Sequence, residues 1–234
     1  MLTNPQFSPS SLAAVRERVE QATRAAGRPS GSVTLIGVTK TQPAAIVAAA
    51  IQAGLRDLGE NYLQEALPKQ QALADVRDRV IWHYIGQLQS NKTRPVAENF
   101  DWVHTVDRLK VAQRLSEQRA FHGPALNVCL QVHLGDEATK GGVDPTDLLE
   151  LATAVQSLPK LSLRGLMCIP PSSTDVQVQR GYFATLRRCR DELNQHGFSL
   201  DTLSMGMSAD LEAAIMEGAT HVRIGTAIFG ERMK

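Results

Sequence analysis

The chain has 234 residues, of which 43% are hydrophobic and 21% charged, so it can bury a full core and does not belong to the disordered class. Its 25 basic and 24 acidic residues give a net charge of +1, which argues against broad binding to nucleic acid or to a membrane surface. No apolar run approaches the roughly 20 residues that span a bilayer, and the first ten residues lack the features of a secretory signal. The cysteines Cys129, Cys168 and Cys189 are an odd, widely spaced set, which predicts neither disulfides nor zinc and favours the reducing cytoplasm.

Short β-branched runs alternate with segments of helical period along the chain, and no linker-like change of composition divides it. We predict a disordered tail over residues 1–10 and a single domain over residues 11–234. A leading amphipathic helix is expected over residues 11–26, where Gly27 stops it. A helix is then expected after each of the first seven of eight strands. The strands are predicted at 33–39, 56–58, 80–85, 102–105, 126–133, 163–169, 202–205 and 221–224.

Eight strands separated by helices favour a closed parallel barrel of the (β/α)8, or TIM, type with an extra N-terminal helix, because closure removes the exposed edges of a sheet. The alternative is an open, doubly wound sheet. The glycine fingerprint of dinucleotide-binding sheets is absent after the first strand, although other open sheets remain compatible with the alternation.

Lys40 stands at the end of the first strand, on the same face as Thr34, Ile36 and Val38 by the period of two. The chemistry of such barrels sits where strands end. A partly desolvated lysine there has a lowered pKa and can form a Schiff base with an aldehyde. Most lysines are solvated, so an ordinary surface residue is the competing interpretation.

The loops after strands seven and eight are the recurrent phosphate site of these barrels. Here they carry Gly206-Met207-Ser208 and Gly225-Thr226. Small residues let the backbone approach a phosphate closely, and Ser208 is expected to cap the helix that follows it. An ordinary serine cap and an ordinary glycine turn are the alternative interpretation.

Arg223 alternates with Val222 and Ile224 in the last strand. If the apolar pair packs on the outer helices, Arg223 points into the barrel, where a buried guanidinium needs an acceptor from the protein or from a ligand.

The histidines His83, His104 and His133 lie in or at the ends of strands three to five, and we expect them to be hydrogen-bonded structural residues. The sequence has no HExxH or CxxC motif, no paired carboxylates, no GxSxG elbow and no Walker loop. It therefore predicts no metal site.

Several blocks of this sequence closely resemble the family of pyridoxal phosphate homeostasis proteins. They extend over residues 33 to 230 and are long enough to make chance agreement remote. The blocks are 38–43 (VTKTQP), 59–62 (GENY), 82–92 (WHYIGQLQSNK), 104–107 (HTVD), 163–167 (LRGLM), 203–208 (LSMGMS) and 222–230 (VRIGTAIFG).

The resemblance implies a single barrel like the N-terminal domain of alanine racemase (fold type III) with pyridoxal 5′-phosphate as its cofactor. It implies that Lys40 forms the Schiff base with the cofactor. It further implies that Ser208, Gly225 and Thr226 hold the phosphate and that Arg223 lies near the pyridine nitrogen.

The resemblance also implies that Asn61 and Met205 flank the cofactor ring. A second weak phosphate site at Lys140 or Lys92 is left open, with plain surface lysines as the favoured interpretation.

A guanidinium has no acceptor lone pair, so Arg223 would disfavour protonation of the pyridine and weaken its action as an electron sink. The racemases of this fold add a second domain and a tyrosine base from a partner subunit. We expect neither here, because the chain ends at Lys234 and Tyr62, Tyr84 and Tyr182 do not suit that role.

The resemblance thus implies a monomeric, cytoplasmic protein of vitamin B6 homeostasis that holds, buffers or delivers pyridoxal phosphate without catalytic turnover and thereby affects amino-acid and keto-acid balance. Cofactor-requiring apo-enzymes are the expected recipients. The alternatives are a pyridoxal-phosphate-dependent amino-acid racemase and a lysine-dependent aldolase that binds a sugar phosphate.

Overall fold

The computed structural model describes residues 7–135 and 141–230. Within them, eight parallel strands follow one another around a closed barrel in chain order. The strands are β1 (Thr34–Val38), β2 (Asp57–Glu60), β3 (Ile81–Tyr84), β4 (Trp102–Val106), β5 (Leu126–Gln131), β6 (Leu161–Met167), β7 (Thr202–Ser204) and β8 (His221–Ile224). The ring closes where β1 pairs with β8, with Ile36 opposite Arg223. This pairing confirms the predicted barrel, because an open sheet would leave both strands as edges.

Helices surround the barrel, and seven of them connect successive strands in the part of the chain that the structure describes. The helices are α1 (Pro9–Ala25), α2 (Ala44–Gln52), α3 (Leu63–Ala72), α4 (Thr93–Asn99), α5 (Leu109–Gln118), α6 (Leu148–Gln156), α7 (Val176–Gln195), α8 (Leu211–Met216) and α9 (Thr226–Phe229). Short 3-10 helices lie at Ala74–Arg79, Ser90–Lys92 and Pro145–Asp147. Among the described helices, none has the length and apolar character needed to cross a membrane.

The extra N-terminal helix is present, but it begins at Pro9, before the predicted boundary. Ser8 is extended and Pro9 occupies the first helical turn, where proline needs no hydrogen-bond partner for its nitrogen. Residues 9 and 10, expected in the tail, are therefore helical, and residues 1–6 lie outside the described residues.

Helix α1 packs against the last two helices of the barrel. Arg18 of α1 donates to Glu212 of α8, with 2.7 Å between Nη2 and Oε2. Just before α1, the ring of Phe7 lies 6.0 Å from that of Phe229 in α9. The N-terminal segment thus contacts α8 and α9, the two helices that follow the predicted phosphate loops.

The main core lies between the barrel and its helices. Val222 and Ile224 of β8 are buried in it, together with Leu58 and Val103 from other strands. Because side chains alternate along a strand, Arg223 faces the barrel interior, as predicted.

Candidate functional site

A cavity of about 260 Å³ opens at the carboxyl ends of β1 and β8. Five of the predicted site residues lie in its wall, and they come from three distant parts of the sequence. The lining comprises Val38, Lys40, Thr41, Gln42, Met207, Ser208, Ala209, Arg223, Gly225, Thr226, Phe229 and Gly230. The structure therefore brings Lys40 together with both predicted phosphate loops.

Lys40 lies in a tight turn after β1 and is half-buried. The turn is held from both sides by helix α3. Lys69 Nζ donates to the carbonyl oxygen of Thr39 at 2.7 Å, and the N–H of Thr41 donates to Glu65 Oε2 at 2.7 Å. Thr41 has a φ of 66°, a left-handed conformation that is costly for a side chain branched at Cβ. Helix α3 thus fixes the backbone on each side of the candidate Schiff-base lysine.

Beneath this turn lies a buried ion pair. Lys69 also donates to Glu60 Oε1, and Thr39 Oγ1 donates to the same oxygen at 2.6 Å. Glu60 is fully buried. Burial raises the pKa of the Glu60 carboxyl, while Lys69 and Thr39 oppose that shift. Lys69 therefore joins the backbone of the Lys40 turn to a buried carboxyl of β2.

The sequence patterns predicted no role for Glu60, Glu65 or Lys69. The available signal was the spacing of Glu65 and Lys69, one helical turn apart on α3 and so on one face of it.

The loop after β7 forms one side of the cavity. Gly206 has a φ of +94°, and a Cβ there would lie 2.6 Å from Cβ of Ala214, so only glycine fits this bend. Asp210 Oδ1 accepts from the N–H of Met207 at 2.5 Å, and α8 begins at Leu211 with Asp210 in the cap position.

The prediction that Ser208 caps this helix is wrong. The chain makes a further turn, closed by Asp210, before α8 begins, so Ser208 lies in the cavity wall.

The loop after β8 forms the other side. Gly225 faces β1, and a Cβ there would lie 3.4 Å from the carbonyl oxygen of Val38. Thr226 begins helix α9 directly after Gly225, and both line the cavity. A glycine backbone and a hydroxyl side chain are groups suited to an anion.

Arg223 contributes a positive charge to the cavity wall while being 4% exposed. Its Nη1 donates to Ser204 Oγ at 2.8 Å and its Nη2 to the carbonyl oxygen of Cys168 at 2.9 Å. Burial lowers the pKa of Arg223, but a guanidinium remains protonated in proteins. The expected acceptor partners of Arg223 are therefore a hydroxyl and a carbonyl of the protein.

Two further predicted site residues lie elsewhere. Asn61 lines a separate cavity of about 400 Å³, which Tyr62 and Lys92 also line, and its buried Oδ1 has no hydrogen-bond partner among the described residues. Met205 is fully buried in the main core and does not line the 260 Å³ cavity. Lys140 lies outside the described residues.

The described part of the chain matches a class of barrel known from other proteins. The family described as alanine racemase, N-terminal domain, matches residues 10–233. Alanine racemase from Corynebacterium glutamicum has a TM-score of 0.70 at 15% identity, covering 97% of this chain and 62% of that one. At that identity the likeness shows a shared fold. The class is therefore the single barrel of the alanine racemase N-terminal type.

Other relatives narrow the class. A pyridoxal phosphate homeostasis protein from Pseudomonas aeruginosa is 59% identical over 221 residues, which cover 94% of each chain. One from Escherichia coli strain K12 is 47% identical over 94% of this chain and 95% of its own. PipY of Synechococcus elongatus PCC7942, solved with PLP bound, has a TM-score of 0.84 at 39% identity, covering 95% of this chain and 99% of that one. The chain belongs to the family of pyridoxal phosphate homeostasis proteins.

Proposed function

We propose that this chain binds pyridoxal 5′-phosphate in the 260 Å³ cavity and serves vitamin B6 homeostasis by holding, buffering and delivering it. The observation that carries the proposal is the meeting of a strand-end amine with two small-residue loops around one cavity. An aldehyde and a phosphate on one small molecule would engage both at once.

The residues of the cavity fit this cofactor. When bound, the cofactor would supply an aldehyde, and Lys40 would offer the amine that reacts with it. The phosphate would be held by hydroxyl and backbone groups of Ser208, Gly225 and Thr226. Gly225 has no side chain that would crowd Val38 of β1. Among the described lining residues, Lys40 and Arg223 carry a positive charge. Since Lys40 would meet the aldehyde, Arg223 would face the ring nitrogen.

Asn61 and Met205 are proposed to flank the ring. The unpartnered buried Oδ1 of Asn61 supports this role, since a buried amide oxygen without a partner is costly. Nothing in the packing of Met205 supports a side-chain contact, so its contribution would come from the backbone.

We propose that the protein holds the cofactor without catalytic turnover. Arg223 is donor-only, so it disfavours the protonated pyridine that stabilises carbanions best. Proton abstraction also needs an acid or base placed opposite the lysine. Apart from Lys40 and Arg223, the described residues that line the cavity carry no ionisable side chain.

We further propose a monomer of the reducing cytoplasm that hands its cofactor to apo-enzymes. The cysteines are free, and burial raises the pKa of the Cys168 thiol to about 12, which keeps it an unreactive thiol.

Borohydride reduction followed by peptide mapping tests the site. The pyridoxyl adduct is expected on Lys40, and Lys40→Ala is expected to abolish the visible absorption of the bound cofactor while the protein still folds. Lys110→Ala, an exposed lysine of α5, is the matched control and should retain the band. An adduct found mainly on another lysine would overturn the assignment, and adduct formation with a sugar phosphate in its place would indicate the aldolase alternative.

Exchange of the α-proton, measured in deuterium oxide with a panel of amino acids, tests the absence of turnover. The expected result is no exchange above the rate given by free cofactor. Steady exchange that Lys40→Ala abolishes would establish the racemase alternative instead.

A further inference from the structure

The barrel interior carries a continuous chain of hydrogen-bonded polar side chains. TIM barrels usually fill this space with bulky branched residues. Here five strands each contribute one member, which we call the interior relay: Asp57 of β2, His83 of β3, His104 of β4, Ser204 of β7 and Arg223 of β8. Every link is a hydrogen bond of ordinary length.

From the amino end of the barrel, His83 Nε2 lies 3.0 Å from Asp57 Oδ1, and His83 Nδ1 lies 2.9 Å from His104 Nε2. His104 Nδ1 lies 2.8 Å from Ser204 Oγ, which accepts from Arg223 Nη1 at 2.8 Å. The Asp57 side chain is 20% exposed, whereas His83, His104 and Ser204 are fully buried. The relay therefore leads from the solvent at the amino end to the wall of the cavity at the carboxyl end.

The two ends fix the direction of every bond. Arg223 can only donate, and an ionised Asp57 can only accept. Ser204 has one proton to donate and an acceptor atom to offer, and so does each imidazole that carries a single ring proton. Four hydrogen bonds with four protons result: Arg223 to Ser204, Ser204 to His104, His104 to His83, and His83 to Asp57.

This order requires the Nε2–H tautomer at both histidines. A further proton on His83 would reverse the next two bonds. Ser204 Oγ would then accept from both His104 and Arg223, and the Ser204 proton would have no acceptor in the relay. Burial, with His83, His221 and Arg223 nearby, holds the pKa of His104 well below its usual range, which agrees with a neutral imidazole. Within the described residues, no group of three or more histidine, cysteine or carboxylate side chains is arranged to hold a metal ion.

We propose that Ser204, His104, His83 and Asp57 are positioning residues for Arg223, which they hold in one orientation in the wall of the cofactor cavity. Because Ser204 donates its proton to His104, the lone pairs of Ser204 Oγ are turned toward the guanidinium of Arg223. Arg223 has no acceptor, so the relay carries no proton to the cavity; it fixes the place of a positive charge. The proposal rests on the proposed function only in the step from Arg223 to the cofactor.

The direction of the relay is tested without any cofactor. Nitrogen-15 NMR of the histidine side chains in the apo protein is expected to show His83 and His104 as Nε2–H tautomers. An Nδ1–H tautomer or a charged imidazole at either position near neutral pH would overturn the relay. Asp57→Leu removes the acceptor of His83 Nε2–H, so both tautomers of His83 should then be populated. Asp57→Asn should preserve the Nε2–H tautomer, because its amide oxygen can accept the same bond.

The positioning role is tested with the cofactor bound. Ser204→Ala is expected to shift the visible absorption band and to raise the dissociation constant of pyridoxal phosphate by about tenfold. Thr202→Val is the matched control, since Thr202 is a buried residue of the same strand whose hydroxyl bonds to Asp201, outside the relay. The control should leave both the band and the affinity unchanged.

Asp57 gives a second route if Ser204→Ala does not fold. Asp57→Leu, at the opposite end of the barrel, should shift the band in the same direction, and Asp57→Asn should restore it. If none of these substitutions shifts the absorption band from its wild-type position, the positioning role is overturned. Failure of the wild type to bind pyridoxal phosphate would instead overturn the proposed function and leave the tautomer result standing.

Discussion

Ser208 and Thr226 place two hydroxyl groups in the cavity wall from loops that follow different strands. Neither loop has a lysine or arginine among its residues 206–208 and 225–226, so a phosphate bound there would depend on hydroxyl and backbone N–H donors. Each hydrogen bond to a charged group contributes about 1.5–3 kcal/mol. The phosphate is therefore expected to dominate the affinity.

Unphosphorylated pyridoxal should bind weaker by about a hundredfold or more, although its aldehyde chemistry at Lys40 is the same. Thr226→Val should raise the dissociation constant of the phosphate form by about tenfold and leave that of pyridoxal unchanged, as measured by absorbance titration. Thr153→Val, which removes an exposed hydroxyl on α6, is the control. Equal binding of pyridoxal and its phosphate would refute the phosphate anchor.

Helix α3 supports the turn that carries Lys40 through Lys69 and Glu65, and the Glu60–Lys69 pair links this helix to β2. A buried pair of this kind stabilises little by itself, but the loss of one partner leaves an uncompensated charge. This makes α3 the element on which the geometry of Lys40 depends.

Lys69→Met should lower the free energy of unfolding by about 3 kcal/mol near pH 8. Without the ammonium, burial raises the folded-state pKa of Glu60 further above its unfolded value. Such a group costs more stability as pH rises through the folded pKa, so the loss should shrink toward pH 5. Urea unfolding at both pH values checks this.

Adding Glu60→Gln to Lys69→Met should recover part of the loss at pH 8 and remove its pH dependence. A deficit that is the same at pH 5 and pH 8 would contradict the account.

At the scale of the whole molecule, the cavity joins the first strand to the last two loops, and α1 braces the same end of the chain through Arg18 and Phe7. A ligand in the cavity binds only the closed barrel. Cofactor binding and global stability are therefore linked by mass action.

Pyridoxal phosphate at a free concentration one hundred times its dissociation constant should add about 2.7 kcal/mol, or about 5–10 °C in melting temperature. Lys40→Ala and Ser208→Ala should gain less at the same concentration, and their apo forms should melt close to the wild type. Differential scanning calorimetry of apo and loaded protein provides the measurement. A wild type that gains nothing would show that the cofactor does not favour the folded state.

Sequence periodicity determined which face each residue takes, and this was enough for much of the site. The alternation of Arg223 with Val222 and Ile224 predicted its inward direction, and strand ends placed Lys40, Ser208, Gly225 and Thr226 at one mouth. These predictions succeed because the direction of a side chain follows from the period of its own strand. In addition, the carboxyl ends of all strands in a parallel barrel lie at the same mouth.

The tertiary structure alone decided which side chains meet. Nothing in the local pattern shows that His104 of β4 bonds to Ser204 of β7, or that Lys69 reaches the carbonyl oxygen of Thr39. Ser208 does not cap α8, because the turn closed by Asp210 precedes that helix. Met205 is buried in the main core. Contacts between residues distant in sequence depend on barrel closure and register, which only the packing of all eight strands determines.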